Sequence, residues 1–192
     1  MRADAAANRS QLINAAWRLF AAKGAETSLR EVAKEAGVGI GTLYRHFPDR
    51  GELVLGLLQE VAATIQSRLN HALAQWDADP QAAWTALIHE LAALRVAALI
   101  GSLDISQELT EAQLQQAQET RAEMLNHFEA VLHRAQQAGV AADDLTPTRL
   151  VVAIAAITRP LPAPINTVAP KESLEAWLTE LLLRGLGPNH PN

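Results

Sequence analysis

Apolar residues recur along this 192-residue chain at intervals of three and four, the spacing of helices that each bury one face. Leu12, Ile13, Ala16, Trp17 and Phe20 mark the first face over residues 10–23, with Ser10 as its cap and Gly24 as its end. A second, short set, Leu29, Val32, Ala33 and Ala36, starts at Ser28 and must stop at Gly37. A third, Ile40, Leu43 and Phe47, resumes at once and stops at Pro48. Leu53, Leu57, Val61, Ile65 and Leu69, spaced by four, predict a long helix from Arg50 to about Leu73. After a break at Trp76 to Pro80 comes a helix that is apolar almost all round, with Trp84, Leu87, Ile88, Leu91, Leu94, Ala98 and Leu99, loosening near Gly101. Its composition predicts burial on most sides. A short segment, Leu103 to Leu109, precedes a long amphipathic helix through Leu114, Met124, Leu125, Phe128 and Leu132 that ends at Gly139. A compact apolar helix over Leu150 to about Thr158 follows, then a stiff extended stretch at Pro160, Pro162 and Pro164. The last helix, Lys171 to Leu186, carries Leu174, Trp177, Leu178, Leu181 and Leu182 on one face, before a polar tail.

The polar residues at the boundaries agree with this pattern. Ser28 with Glu31, Asp49 with Glu52, and Thr110 with Gln113 have the spacing of capping boxes, in which side chains at both ends of a first turn satisfy its orphan backbone donors. Asp79-Pro80 and Thr146-Pro147 are caps followed by a first-turn proline. Alanine and leucine dominate the 49% apolar fraction, while aromatic residues make up only 4%, so the composition also points to helix. The expected fold is all-α with about nine helices: a three-helix N-terminal head over residues 1–49 and a helical body over residues 50–192. The helix from Arg50 is long enough to leave the head and enter the body, which makes it the natural lever between them.

Charge and residue chemistry narrow the function. The absence of cysteine rules out disulfides and thiolate metal sites and fits the cytoplasm, the expected location. The polar first nine residues lack the apolar core of a signal peptide, and Arg95 interrupts the longest apolar run, so no membrane span is expected. The net charge of −5 argues at first against nucleic acid, but residues 1–50 hold eight Lys/Arg against five Asp/Glu, and the remainder carries −8. A basic head on an acidic body is the asymmetry expected where one end meets phosphates. His89, Glu123, His127 and His133 invite a metal reading, yet Glu123 and His127 form a pair without a third ligand. Gly39-Ile40-Gly41 follows no strand and is no nucleotide fingerprint, and there is no nucleophile elbow. No cofactor, metal or catalytic residue is assigned.

The stretch from Ser28 to Arg50 carries the specific signal. A helix, a tight glycine turn and a second helix present the second helix outward, with its exposed face suited to the DNA major groove. That face would hold Gly41, Thr42, Tyr44, Arg45 and His46, groups suited to phosphates and base edges. With Ala36-Gly37-Val38, Gly41-Thr42-Leu43-Tyr44, His46-Phe47-Pro48 and a basic residue at 50, this stretch closely resembles the DNA-binding segment of the tetracycline-repressor (TetR) family, over roughly residues 10–55. The resemblance implies a homodimer that binds a palindromic operator in double-stranded DNA and is released by a small-molecule effector held in the body. Carried over, it sets Tyr44, His46 and Arg50 against backbone phosphates, Thr42, Gly41 and Ile40 nearest the bases, and Ser28 and Arg30 on the flanking strand. Position 39, often Ser or Thr in that family, is Gly here, which removes a side-chain cap and a phosphate contact.

In the body, Trp84, Leu87, Leu91, Arg95, Met124 and Phe128 could line an apolar effector pocket, or could simply be core. Arg95, a charge amid Leu, Val and Ala, needs an anionic ligand, a partner such as Asp104 or Glu123, or water. Leu150, Val151, Ile154 and Ile157, with Leu174, Trp177, Leu178, Leu181 and Leu182, form two apolar faces suited to a four-helix dimer interface or to an intrachain pair. The leading function is therefore a ligand-released transcriptional repressor. The alternatives are a regulator controlled by a protein partner or by none, and a helical carrier or enzyme whose head no longer binds DNA.

Overall fold

The computed structural model describes residues 2–96, 105–159 and 171–187, and every regular element among them is helical. In chain order these are α1 (Arg2–Lys23), α2 (Leu29–Glu35), α3 (Ile40–His46), α4 (Arg50–Gln75), α5 (Pro80–Ala93), α6 (Ile105–Glu108), α7 (Glu111–Gln137), α8 (Pro147–Thr158) and α9 (Lys171–Leu186), with a short 3₁₀ turn at Gly24–Glu26. They fall into two compact units. The first takes in α1, α2, α3 and α4 up to Ala62, and also α6 with α7 up to Arg121; the second takes in the rest of α4, α5, the rest of α7, α8 and α9.

In the first unit, α1, α2 and α3 pack on one another. Leu12, Ile13, Ala16 and Phe20 of α1, Val32 and Ala33 of α2, Leu43 of α3, Phe47, and Leu53 and Leu57 of α4 are buried together in this unit. α1 begins at Arg2 rather than at the expected cap Ser10, which lies inside the helix. The Ala5–Ala7 run, the strongest helix-forming sequence in the segment, extends it. Two glycines allow close approach here. A Cβ on Gly56 would lie 2.9 Å from Phe47 Cε1 and 3.2 Å from Ile13 Cδ1, and one on Gly51 would lie 2.6 Å from Gln113 Oε1 and 2.9 Å from the Glu108 carbonyl.

The caps form largely as the spacing predicts. Glu31 N–H donates to Ser28 Oγ at 3.2 Å and Ser28 N–H to Glu31 Oε2 at 2.9 Å, and Thr110 and Gln113 are paired in the same reciprocal way. The Asp49 box is only half made. Glu52 N–H donates to Asp49 Oδ1 at 2.8 Å, but the Glu52 carboxylate turns instead to accept from Gln113 Nε2 at 2.8 Å. A charge-assisted bond to a buried amide outweighs a return to an exposed backbone N–H.

In the second unit, α5, α8 and α9 pack on one another. Trp84, Leu87, Ile88 and Leu91 of α5, Phe128, Val131 and Leu132 of α7, and Leu150 of α8 are buried in this unit. Gln66 of α4 donates from Nε2 to His127 Nε2 at 2.7 Å, while His127 Nδ1 donates to the Glu123 carbonyl at 2.7 Å, so both ring nitrogens are engaged. Gly139, at φ +67, closes α7: Gly139 N–H donates to the Gln136 carbonyl and Val140 N–H to the Ala135 carbonyl, the paired bonds of a left-handed cap.

α5 ends at Ala93, short of the expected Gly101. Its cap is Leu94, and Arg95 N–H donates to the Ala92 carbonyl at 3.1 Å with Arg95 at φ +50. An arginine thus occupies the left-handed position that usually falls to glycine, and no sequence rule flags it. Ala98, Leu99, Gly101, Leu103, Asp104 and the proline stretch 160–164 lie outside the described residues.

Candidate nucleic-acid interface

The turn between α2 and α3 is set by local chemistry. Ala36 caps α2, Gly37 follows at φ +69, and the two bonds Gly37 N–H to Lys34 O (3.1 Å) and Val38 N–H to Ala33 O (3.0 Å) close it. Only glycine adopts that φ without strain. Gly39 then caps α3 with backbone alone, as its missing side chain requires. Leu43 and Phe47, fully buried, fasten α3 to the unit by its inner face.

What that leaves outside is the predicted reading face. Tyr44 is 49% exposed and Ile40 39% exposed, Gly41 and Arg45 are exposed, and Thr42 and His46 are half-buried. Ile40 thus belongs to the outer face and contributes little to the apolar set that its spacing with Leu43 and Phe47 suggests. Ser28 and Arg30 are exposed at the start of α2. Arg18 and Lys23 are paired with Glu35 and Glu31 at 3.1 and 2.7 Å, whereas Arg30, Lys34 and Arg45 form no ion pair among the described residues. Lys34 did not stand out in the sequence; its signal is its place beside the turn with no acid to neutralise it.

Arg50, expected to face a phosphate, also has partners inside its own unit. Its Nε donates to Glu108 Oε2 at 2.5 Å, an Nη1–H donates to the Thr27 carbonyl, and the guanidinium lies 4.9 Å from the centroid of the Phe20 ring. Its side chain is three-quarters covered. Glu108 comes from far along the chain, so the sequence gives no hint of the pairing.

Of the candidate effector residues, Trp84, Leu87, Leu91 and Phe128 are buried and Met124 is half-buried. Arg95 pairs with Glu175 of α9 at 2.7 Å rather than with Glu123, and Asp104, the other partner expected for it, lies outside the described residues. Trp84 Nε1 and Arg95 Nε are buried with no hydrogen-bond partner among the described residues.

Of the candidate interface residues, Leu150 and Ile154 are buried within the chain, and Val151, Ile157, Leu174, Leu178 and Leu182 are half-buried. Trp177 and Leu181 are 59% and 52% exposed, one turn apart on α9, and Val152 of α8, absent from the expected set, is 60% exposed. Between Leu150 and Ile157 α8 holds no polar residue, so its sequence marks the outer face at Val152 only weakly. No helix among the described residues is long and apolar enough to cross a membrane, and none of their His, Asp and Glu side chains gather in groups of three that could hold a metal.

Comparison with known proteins bears on these features. Residues 12–57 match the family described as bacterial regulatory proteins, tetR family, and residues 79–188, more than half of the chain, match that described as transcriptional regulator SbtR-like, C-terminal domain. The HTH-type transcriptional regulator SAB2452 of Staphylococcus aureus is 45% identical over 60 residues, which are 31% of this chain and 32% of that protein, so the chain matches about a third of the length of such curated relatives. The TetR transcriptional regulator SCO0520 of Streptomyces coelicolor has a similar structure, with a TM-score of 0.68, 26% identity, and coverage of 95% of this chain and 99% of that one. The TetR transcription regulatory protein of Mycobacterium vanbaalenii is equally similar, with a TM-score of 0.68, 26% identity, and coverage of 97% and 98%. The reading head, the helical body and both family matches lead to one conclusion: this chain belongs to the TetR family of bacterial transcriptional regulators.

Proposed function

We propose that the protein is a homodimeric repressor that binds a palindromic operator in duplex DNA through α3 and is released by a small-molecule effector held in its second unit. The observation that carries this reading is the division of α3 into two faces. Leu43 and the adjoining Phe47 are buried, while Tyr44 and Arg45 project to solvent with no internal role. Arg30, Lys34 and Arg45, unneutralised among the described residues, supply charge for phosphates on either side. Tyr44, His46, Ser28 and Arg30 are assigned to the backbone, with Thr42, Gly41 and Ile40 nearest the bases. Arg50, bonded to Glu108 and Thr27 at the start of α4, is assigned to the phosphate beside it with the part of its guanidinium that stays exposed.

The effector reading is supported by the two orphaned donors, Trp84 Nε1 and Arg95 Nε. A buried donor without an acceptor costs about 1–3 kcal/mol. An effector with an apolar body and an acceptor group within reach of either donor would remove the cost at that donor. The conformation it favours then has its two heads wrongly spaced for major grooves about 34 Å apart. α4 and α7 each contribute residues to both units, so they are the elements through which such a change would pass.

The test is duplex binding followed by fluorescence anisotropy across a salt series, using DNA fragments selected by the protein itself. Affinity falls steeply with salt, and Tyr44→Ala weakens it at least tenfold without shifting the melting midpoint. Salt-independent affinity, or full affinity in Tyr44→Ala, sinks the assignment of α3.

A further inference from the structure

In the first unit, the large apolar side chains left exposed among the described residues are Ile40 and Tyr44, four residues apart and therefore on one face of α3. Tyr44 has a hydroxyl for a phosphate. Ile40 has nothing to offer but a hydrocarbon surface, and two-fifths of it stands in solvent. Its neighbours are glycines on both sides. Neither Gly39 nor Gly41 has a positive φ, and a Cβ on either would meet nothing within 4 Å. The fold needs neither glycine, and Gly41 inside a helix weakens it relative to alanine. Together they leave the backbone beside Ile40 bare, which serves the close approach of something from outside the chain.

The chemistry of the rest of α3 selects what approaches. Its sequence, Ile-Gly-Thr-Leu-Tyr-Arg-His, holds no amide and no carboxylate. The side chains that read adenine in two bonds (Asn, Gln) and cytosine (Asp, Glu) are therefore absent. Among base edges in the major groove, the one apolar feature is the C5-methyl of thymine. Arg30 and Lys34 of α2 and Arg45 of α3, with no ion pair among the described residues, match a polyanion rather than an apolar protein face.

We propose that Ile40, flanked by the bare backbone of Gly39 and Gly41, reads thymine in each operator half-site by packing on its C5-methyl group. This rests on the reading of α3 as the DNA-binding helix and adds a specificity-determining residue to it. Removing one buried methyl group weakens binding about fourfold.

The experiment takes the operator selected from genomic DNA by the full-length protein and replaces each thymine in turn by deoxyuridine, which deletes the methyl and keeps every hydrogen-bonding group. One position per half-site is expected to lose about fourfold in affinity. Ile40→Ala, at an exposed position, should melt at the wild-type temperature, bind the thymine operator more weakly, and show no further loss on the deoxyuridine operator. Gly41→Ala should melt about 1–3 °C higher while binding at least fivefold more weakly, opposite signs that a structural glycine would not give. If salt-dependent duplex binding persists but no deoxyuridine position matters, or Ile40→Ala binds at full strength, the thymine reading is overturned and the DNA-binding reading stands. If no duplex is bound at all, both are overturned.

Discussion

At the scale of single residues, position does not fix role. Glu31 is a capping-box residue by its spacing, and it is one, yet it also accepts from Lys23 Nζ at 2.7 Å. The hydrogen bond from Lys23, with those from the Ser28 backbone and hydroxyl and the Lys23 charge, holds its pKa down from the ordinary 4.5 to about 2. A carboxylate lowered on folding contributes stability that is fully present above about pH 4.5 and is lost as pH falls toward 2. Glu31→Gln keeps the cap but cannot titrate, so melting curves between pH 6 and pH 2.5 should show a flatter acid limb in the variant. An unchanged limb would falsify that account. Arg50 makes the converse point. Spacing sets it at the head of α4 and the family resemblance makes it a phosphate contact, while the structure adds partners that neither shows, Glu108, Thr27 and Phe20. Arg50→Ala should therefore cost about 1–3 kcal/mol of stability, and Glu108→Gln a smaller part of it, both read from the thermal midpoint. An Arg50→Ala protein that melts normally but no longer binds duplex DNA would leave Arg50 to the phosphates alone.

At the scale of elements, most starts and stops are local and readable, the start of α1 and the end of α5 excepted, while faces depend on what packs where. Gly37 ends α2 because the turn needs a left-handed residue, so Gly37→Ala is expected to cost about 1 kcal/mol in a denaturant melt although its Cβ would meet nothing. The contrast with Gly41, where alanine should stabilise, separates a glycine required by the fold from one that is not. α5 shows the limit of periodicity. Its apolar run continues past Ala93, but the chain turns at Arg95 through a left-handed residue and an ion pair to Glu175, neither of which hydropathy signals. α8 shows another: with no polar residue from Leu150 to Ile157, it gave little basis for choosing Leu150 and Ile154 as inner and Val152 as outer.

At the scale of the whole molecule, Val152, Trp177 and Leu181 are the large apolar side chains of the second unit left exposed among the described residues, and a second copy is the partner that the proposed repressor requires. A double Trp177→Glu, Leu181→Glu variant should sediment as a monomer at micromolar concentration and keep its helical content. Its operator affinity should drop at least tenfold, because two tethered heads bind as one event and separate heads do not. Persistence of the dimer would put the interface elsewhere.

The sequence by itself determined the helices, most of their caps, the Gly37 turn and the outward face of α3, because each depends on residues within a few positions of one another. Hydrogen bonds that close a first turn, and a φ that only glycine adopts freely, are local physics. The tertiary structure alone decided that Arg50 belongs to Glu108, that Arg95 belongs to Glu175, and that Ile40 is left outside while Leu150 is taken in. Those choices are made between residues remote in sequence, where burial and pairing depend on which surfaces the folded chain brings together.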